Sequence, residues 1–361
     1  MVASRRRSKN GADNRSHCDG RWQHVYGALD LGTNNCRLLV AKPSQSGFRV
    51  VDAFSRVVRL GEGLGNADSL SDHAMDRTID ALRVCRAKIG RNGVTRLRAV
   101  ATEACRRADN RAQFIERARD EAQIDLEVIA PEEEAELALI GCSTLYDPPQ
   151  GERSYALLFD IGGGSTQITW VRLHRAADLP DEVDAEIINC ISVPCGVVTL
   201  SERFGCGEDD QGRASPQIYG QICDHVRELL AAFDARHDIS SHVRNGSVQM
   251  VGTSGTVTTL AGVFLDLPRY NRDRVDGQQL DFTQLGDARD HLLALDRRDR
   301  AEHPCIGPDR ADLVVSGCAV LDAICGLWPV GRLRVADRGL REGILHGLMR
   351  LADRESAPAG V

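Results

Sequence analysis

Two short apolar runs in this 361-residue chain end in the same way. Residues 25–30 close on Asp30-Leu31-Gly32 and residues 155–160 on Asp160-Ile161-Gly162, 130 residues apart. That interval is too long for a solenoid repeat, whose periods run roughly 20–50 residues, and it suits a duplicated domain. A polar turn and a second apolar strand follow each signal, at 36–42 and at 167–173. The first half continues with a strand at 48–56, a helix at 71–89, and strands at 96–101 and 125–129 separated by a helix at 111–121. The second half reads as a strand at 185–193, helices at 197–204 and 216–233, and a strand at 247–251. Helices at 256–264, 282–295 and 311–327, a strand at 332–336 and a last helix from 340 complete it. Antiparallel strands followed by alternating helices and strands, made twice, predict a mixed α/β sheet in each half with a ligand cleft between the two.

Charge and cysteine usage narrow the function classes. With 45 Lys+Arg against 52 Asp+Glu the formal charge is −7, which disfavours a general nucleic-acid binder. A polyanion must therefore be handled by a local site. No apolar run approaches the roughly 18–20 residues of a membrane span, so no membrane partner is expected. The twelve cysteines form no CxxC pair, and Cys85, Cys142, Cys223, Cys318 and Cys325 sit in apolar runs. They read as buried reduced thiols, hence a reducing compartment such as the cytoplasm. Residues 1–24 carry Arg5, Arg6, Arg7, Lys9, Arg15 and Arg21 with no apolar segment behind them. The expectation is a disordered basic tail rather than an export signal.

Three loops carry the chemistry. Asp160-Ile161-Gly162-Gly163-Gly164-Ser165-Thr166 joins two strands through three glycines and two hydroxyls, a composition that suits an anion-binding nest better than a plain hairpin. Its echo, Asp30-Leu31-Gly32-Thr33-Asn34-Asn35, is also an ordinary turn composition, and gains weight from the pairing. Gly252-Thr253-Ser254-Gly255-Thr256 joins a strand to a helix, whose N-terminus would add oriented N–H groups. A carboxylate beside bound phosphate is unfavourable without a cation between them, so Asp30 and Asp160 suggest Mg²⁺ held partly by water.

Pro131-Glu132-Glu133-Glu134-Ala135 is a standard helix start, but helical spacing separates its acids. Glu134 shares a face with Leu137, Ala138 and Gly141, which should point inward; Glu132 shares the opposite face with Glu136. An inward carboxylate could serve as general base on water, or be no more than capping chemistry. Arg106, Arg37 and Arg310 are candidate cations by position, each equally readable as a solvated surface charge.

Together these motifs resemble the Ppx/GppA family of exopolyphosphatases and guanosine pentaphosphate phosphohydrolases. The resemblance runs from about Val25 to Leu351 and rests on 30–35, 101–106, 133–135, 160–166, 252–256 and 340–343. It implies two ribonuclease H-like domains of the actin-like (ASKHA) fold, here expected at 25–137 and 138–361, with the last helix free to pack back on the first. It also implies Mg²⁺-dependent release of terminal phosphate from polyphosphate or guanosine pentaphosphate, in a homodimer. Glu134 matches the family's catalytic glutamate and Arg106 an arginine beside the phosphates. Thr33, Asn34 and Asn35 match the first phosphate loop; Gly162, Gly163, Gly164, Ser165 and Thr166 match the second, and Gly252, Thr253, Ser254 and Gly255 lie in the third motif. Asp30 and Asp160 fall at the metal positions, and Arg37 and Arg310 resemble substrate-contacting positions. Gln167 departs from the usual Gly-Gly-Gly-Ser-Thr-Glu, which removes one charged group from the implied metal site. The extra helical domain of longer members is also not seen, so the chain reads as the short, two-domain form.

Overall fold

Both Asp-apolar-Gly runs are central strands. The computed structural model describes residues 20–45, 47–149, 154–175 and 183–356. In the first half β1 (Tyr26–Leu31) pairs antiparallel with β2 (Asn35–Ser44), which pairs in turn with β3 (Gly47–Val57). On its other side β1 runs parallel to β4 (Arg96–Ala101), and β4 to β5 (Glu127–Val128). In the second half β6 (Ser154–Ile161), β7 (Thr166–Arg175) and β8 (Val183–Val193) repeat the antiparallel triplet. There β6 runs parallel to β9 (Val248–Thr253), which is followed outward by β11 (Arg332–Ala336) and then β10 (Gln279–Asp281). The sheet orders β3-β2-β1-β4-β5 and β8-β7-β6-β9-β11 are the same path drawn twice, with β10 added at one edge. The duplicated α/β architecture is thus present as read.

Each sheet is covered on both faces, which explains why β1 and β6 are nearly unbroken apolar runs rather than alternating ones. One face of the first sheet packs on the helices Asp72–Arg91 and Arg111–Ala122 through Leu29, Leu38, Ile79, Leu82 and Phe114. The other face meets the C-terminal helix Leu340–Ser356, where Ile344, Leu345 and Met349 lie against Tyr26, Leu39 and Val100. The helix Pro131–Cys142 serves both halves. Its Leu137 joins that same cluster, while Ala138, Leu139 and Cys142 pack with Ala156, Leu158 and Val171 of the second sheet.

The two helices that pass between the halves cross backbone to backbone. A Cβ on Gly141 would lie 2.0 Å from the Gly339 carbonyl oxygen, and one on Gly343 would lie 1.9 Å from that of Leu137. Only glycine permits this approach.

Three expectations need correction. The strand read at 125–129 is only Glu127–Val128, because Leu126 and Ile129 fill separate apolar clusters instead of extending the ladder. The helix read from 311 begins at Val314, after a turn closed by the Leu313 N–H on the Arg310 carbonyl. Residues 1–19 lie outside the described residues, but 20–24 are not a free tail. Arg21–Gln23 form one 3₁₀ turn, and Arg21 donates from both backbone N–H and Nε to Asp353 of the last helix. Among the described residues every cysteine is a free thiol, Cys85, Cys142, Cys223 and Cys318 buried and Cys325 half-buried. No helix among the described residues is long and apolar enough to cross a membrane.

Candidate active site

The two hairpins set up the site by identical geometry. Asp30 faces Arg37 across β1 and β2, and Asp160 faces Gln167 across β6 and β7. Each hairpin turn closes on one backbone bond, Gly32 N–H to Asn35 O and Gly162 N–H to Ser165 O, both 2.9 Å. The loops then meet. A Cβ on Gly164 would fall 2.5 Å from Thr33 Oγ1 and one on Gly163 would fall 3.0 Å from Asn34 Cβ. The glycines therefore bring the two loops together, as well as baring their N–H groups. Among the described residues the N–H groups of Thr33, Asn34, Gly163, Gly164 and Ser165 find no acceptor.

Between the loops lies a cleft of about 150 Å³ lined by Asp30, Thr33, Asn34, Asn35, Arg37, Glu134, Asp160, Gly162, Gly163, Gly164, Ser165, Ser254, Gly255 and Arg310. Residues 130 to 280 positions apart in sequence thus share one wall-to-wall space. The third loop contributes a helix N-terminus. Ser254 Oγ accepts from the Val257 N–H at 3.1 Å and caps the helix Gly255–Phe264, whose first turn opens on the cleft. Asn34 is 5% exposed and its Oδ1 is buried without a partner among the described residues.

Glu134 projects from the first turn of its helix into this cleft, while Glu132 and Glu136 are exposed. Arg106 Nη1 donates to Glu134 Oε2 at 2.8 Å and to the Ile129 carbonyl at 3.0 Å. Its Nε and Nη2 donate to Glu103 Oε2 at 3.2 and 3.0 Å. Burial nevertheless raises the Glu134 carboxyl above its ordinary range, with Arg106 pulling the other way. Asp160 is pushed up to about 7 by burial and by the neighbouring Glu134 and Asp30, against Arg37. Asp30 is raised by burial, opposed by Arg37 and Arg341. Neither carboxylate makes a hydrogen bond or ion pair among the described residues.

Some residues read from the sequence lie elsewhere. Thr166 is fully buried and its Oγ1 donates to the Cys195 carbonyl at 2.9 Å, because one step along the strand turns it to the opposite face from Ser165's loop. Gly252 also leaves the cleft: a Cβ there would strike the Phe159 ring at 2.5 Å, so its bare backbone serves packing between β6 and β9. Thr253 spends its hydroxyl on the Arg338 carbonyl at 3.1 Å and does not line the narrow cleft. Arg106 is held behind Glu134 by two carboxylates and a carbonyl, rather than presented to the open space.

Two residues of the site were not among the candidates. Glu103 stands three positions before Arg106, the ion-pair spacing of one helical turn, and that spacing was the available signal. Gln167, noted only as a departure, donates from Nε2 to the Pro131 carbonyl at 2.6 Å. It ties β7 of the second half to the first turn of the helix that carries Glu134.

A model of the Ppx/GppA phosphatase family matches residues 39–352. The chain belongs to the Ppx/GppA phosphatase family. A guanosine-5'-triphosphate,3'-diphosphate pyrophosphatase of Aeromonas salmonicida is 28% identical over 327 residues, which are 90% of this chain and 59% of that longer protein. Among solved structures, an exopolyphosphatase-like protein is 26% identical with a TM-score of 0.77, over 91% of this chain and 99% of its own. The Aquifex aeolicus member of the family is 25% identical with a TM-score of 0.68, over 90% and 97%. The duplicated sheets are accordingly the actin-like (ASKHA) fold.

Proposed function

We propose that this protein is a phosphoanhydride hydrolase that releases terminal orthophosphate from inorganic polyphosphate. The observation that carries the reading is Glu134: a half-buried carboxylate, oriented by Arg106 at 2.8 Å, in a cleft between two loops whose N–H groups find no acceptor among the described residues. Family membership supports it. In this scheme the loop N–H groups, Ser165 and the helix start at Gly255 grip the phosphoryl oxygens, and Arg37 and Arg310 offset their charge. Glu134 Oε1 takes a proton from water as the water attacks phosphorus, and the departing oxygen leaves with the rest of the chain. Burial keeps the carboxylate basic enough to do so, and Arg106 fixes where it points.

The donor set fits Mg²⁺. Two half-buried aspartates whose carboxylates have no partner among the described residues, from opposite loops, line the cleft, and among the described residues no cluster of three or more acidic, histidine or cysteine side chains could hold a metal alone. One or two carboxylates with water and phosphate completing the shell is the usual Mg²⁺ arrangement. When bound, the cation would neutralise charge on the phosphate chain. Asp30 and Asp160 would hold it, and holding it would keep both ionised. Gln167 is turned to Pro131 and is not part of this set.

Guanosine pentaphosphate is the second reading, favoured by the name of the Aeromonas relative and by an apolar side of the cleft at Val197, Leu260, Leu292, Leu313 and Val314. The same proposal takes the protein to act in the cytoplasm as a homodimer. The deciding experiment is orthophosphate release from polyphosphate, guanosine pentaphosphate and ATP in parallel, with and without Mg²⁺. Release from none of them in Mg²⁺, with binding intact, would leave a polyphosphate or nucleotide sensor instead.

A further inference from the structure

Each anion loop is held from behind by a segment of its own half. In the first half this is Val58-Arg59-Leu60-Gly61-Glu62-Gly63, which none of the motifs read from the sequence includes. The Val58 and Arg59 N–H groups donate to the Asn34 carbonyl at 2.8 and 3.0 Å, and the Gly61 N–H donates to the Thr33 carbonyl at 2.9 Å. A trans peptide points its C=O and N–H in opposite senses, so turning the Thr33 carbonyl to Gly61 fixes the unpaired Asn34 N–H pointing away from it. The approach is close: a Cβ on Gly61 would fall 2.3 Å from Thr33 Cγ2. Arg77 in turn holds the segment's own carbonyls, donating to those of Val58 and Arg59 at 3.0 and 3.3 Å.

In the second half the holding segment is the helix Val197–Phe204. The Val197 and Val198 N–H groups donate to the Gly162 and Gly163 carbonyls at 2.9 and 2.8 Å, and Thr199 Oγ1 donates to the Gly164 carbonyl at 3.1 Å. By the same peptide geometry these three bonds orient the Gly163, Gly164 and Ser165 N–H groups. The two segments are themselves joined. Glu202, one turn further along that helix, accepts from the Gly63 N–H at 2.8 Å. Beside it Arg59 makes a 3.0 Å ion pair with Asp312 of the second half. Arg59 holds this tie at φ 47°, a left-handed backbone costly for a non-glycine residue, and such strain collects where position matters. A chain of bonds thus leads from the carbonyls of one anion loop to those of the other through Glu202.

We propose that Glu202 is a positioning residue: through Gly63 it sets the first anion loop in register with the second, and the Arg59–Asp312 pair supports the same tie. Glu202, Arg59 and Asp312 line neither cavity between the halves, so they act through the loops and not on the substrate. A phosphate gripped by both loops lies in line with the water at Glu134 only while the loops keep their spacing, and a misplacement of about 1 Å can cost about 10²-fold in rate. The effect on rate rests on the hydrolase reading; the tie between the loops does not.

The test compares Glu202→Ala with Glu202→Gln, whose amide oxygen can still accept from Gly63. Glu202 is exposed, so both variants should melt with the parent. In Glu202→Ala, kcat for polyphosphate or guanosine pentaphosphate, whichever the parent hydrolyses, should fall about tenfold with KM within about twofold. Amide hydrogen exchange at 58–63 should quicken in the same variant. Glu202→Gln should restore both, and adding Arg59→Ala to Glu202→Ala should deepen both losses. An unchanged kcat in Glu202→Ala, an equal loss in Glu202→Gln, or a rise in KM alone overturns the proposal. A parent that hydrolyses neither substrate ends the hydrolase reading by itself. The tie is then judged on hydrogen exchange and on calorimetric binding of orthophosphate. Quicker exchange and weaker binding in Glu202→Ala, both restored in Glu202→Gln, keep it; failure of either overturns it.

Discussion

Gln167 Nε2 donates to the carbonyl oxygen of Pro131 at 2.6 Å, so a strand of the second half holds the first turn of the helix that presents Glu134. An amide can make this bond and an ionised carboxylate cannot. In Gln167→Glu two oxygens would face each other until the new side chain takes up a proton. The variant should therefore lose about tenfold in kcat near neutral pH, with KM little changed, and recover on acidification. A variant whose rate follows the parent's pH profile throughout removes Gln167 from the positioning of the base.

Glu134 itself should account for most of the chemistry. Glu134→Gln keeps size and shape but cannot accept the proton, so kcat should drop about 10²–10⁴-fold with substrate affinity nearly kept. Glu132→Gln, exposed on the opposite face, should match the parent. Steady-state phosphate release decides between them, and equal losses in the two variants would mean that the base is misassigned.

Arg106 is tied to Glu134, and that tie has a sign. The guanidinium favours the ionised carboxylate, opposing the burial that raises its pKa. Arg106→Gln should shift the acidic limb of the kcat/KM profile to higher pH, since more alkali is then needed to free the base. If the limb stays in place while only KM rises, Arg106 contacts substrate and not the base.

The paired aspartates should tie stability to Mg²⁺. The folded pKa of Asp160, about 7, exceeds the unfolded value of about 3.9, so the folded chain holds its proton more tightly. This contribution is full below about pH 4 and is lost as pH rises through 7. In EDTA the melting temperature should fall over that interval. The fall should be smaller in Asp160→Asn, and Mg²⁺ should offset it in the parent alone. Turnover should vanish in EDTA and return with Mg²⁺. An identical fall in parent and variant would show that Asp160 does not set it.

Much of this site was legible because strands and hairpins are local. The paired Asp-apolar-Gly runs located both loops, and helical spacing separated Glu134 from Glu132. What stayed hidden depends on partners distant in sequence. Nothing near Arg106 says which anion its guanidinium will meet, and Glu134 is 28 residues away. Thr166 and Gly252 read as loop residues because their motifs do, yet each is already in a strand and faces packing partners at Cys195 and Phe159. Arg341 lies in the 340–343 motif, and its place beside Asp30 and Arg37 between the halves depends on how the last helix folds back over the first sheet.

The crossing at Gly141 and Gly343 gives that return a mechanical meaning. Where two helices touch through bare main chain, no side chain is present to slide or repack, and the contact behaves as a rivet between two blades. The spacing of these two helices is thereby fixed at this point. Glu134 lies seven residues from it on the same rod, roughly 10 Å at 1.5 Å per residue. So short an arm leaves the base little room to wander from the place where the two helices are pinned.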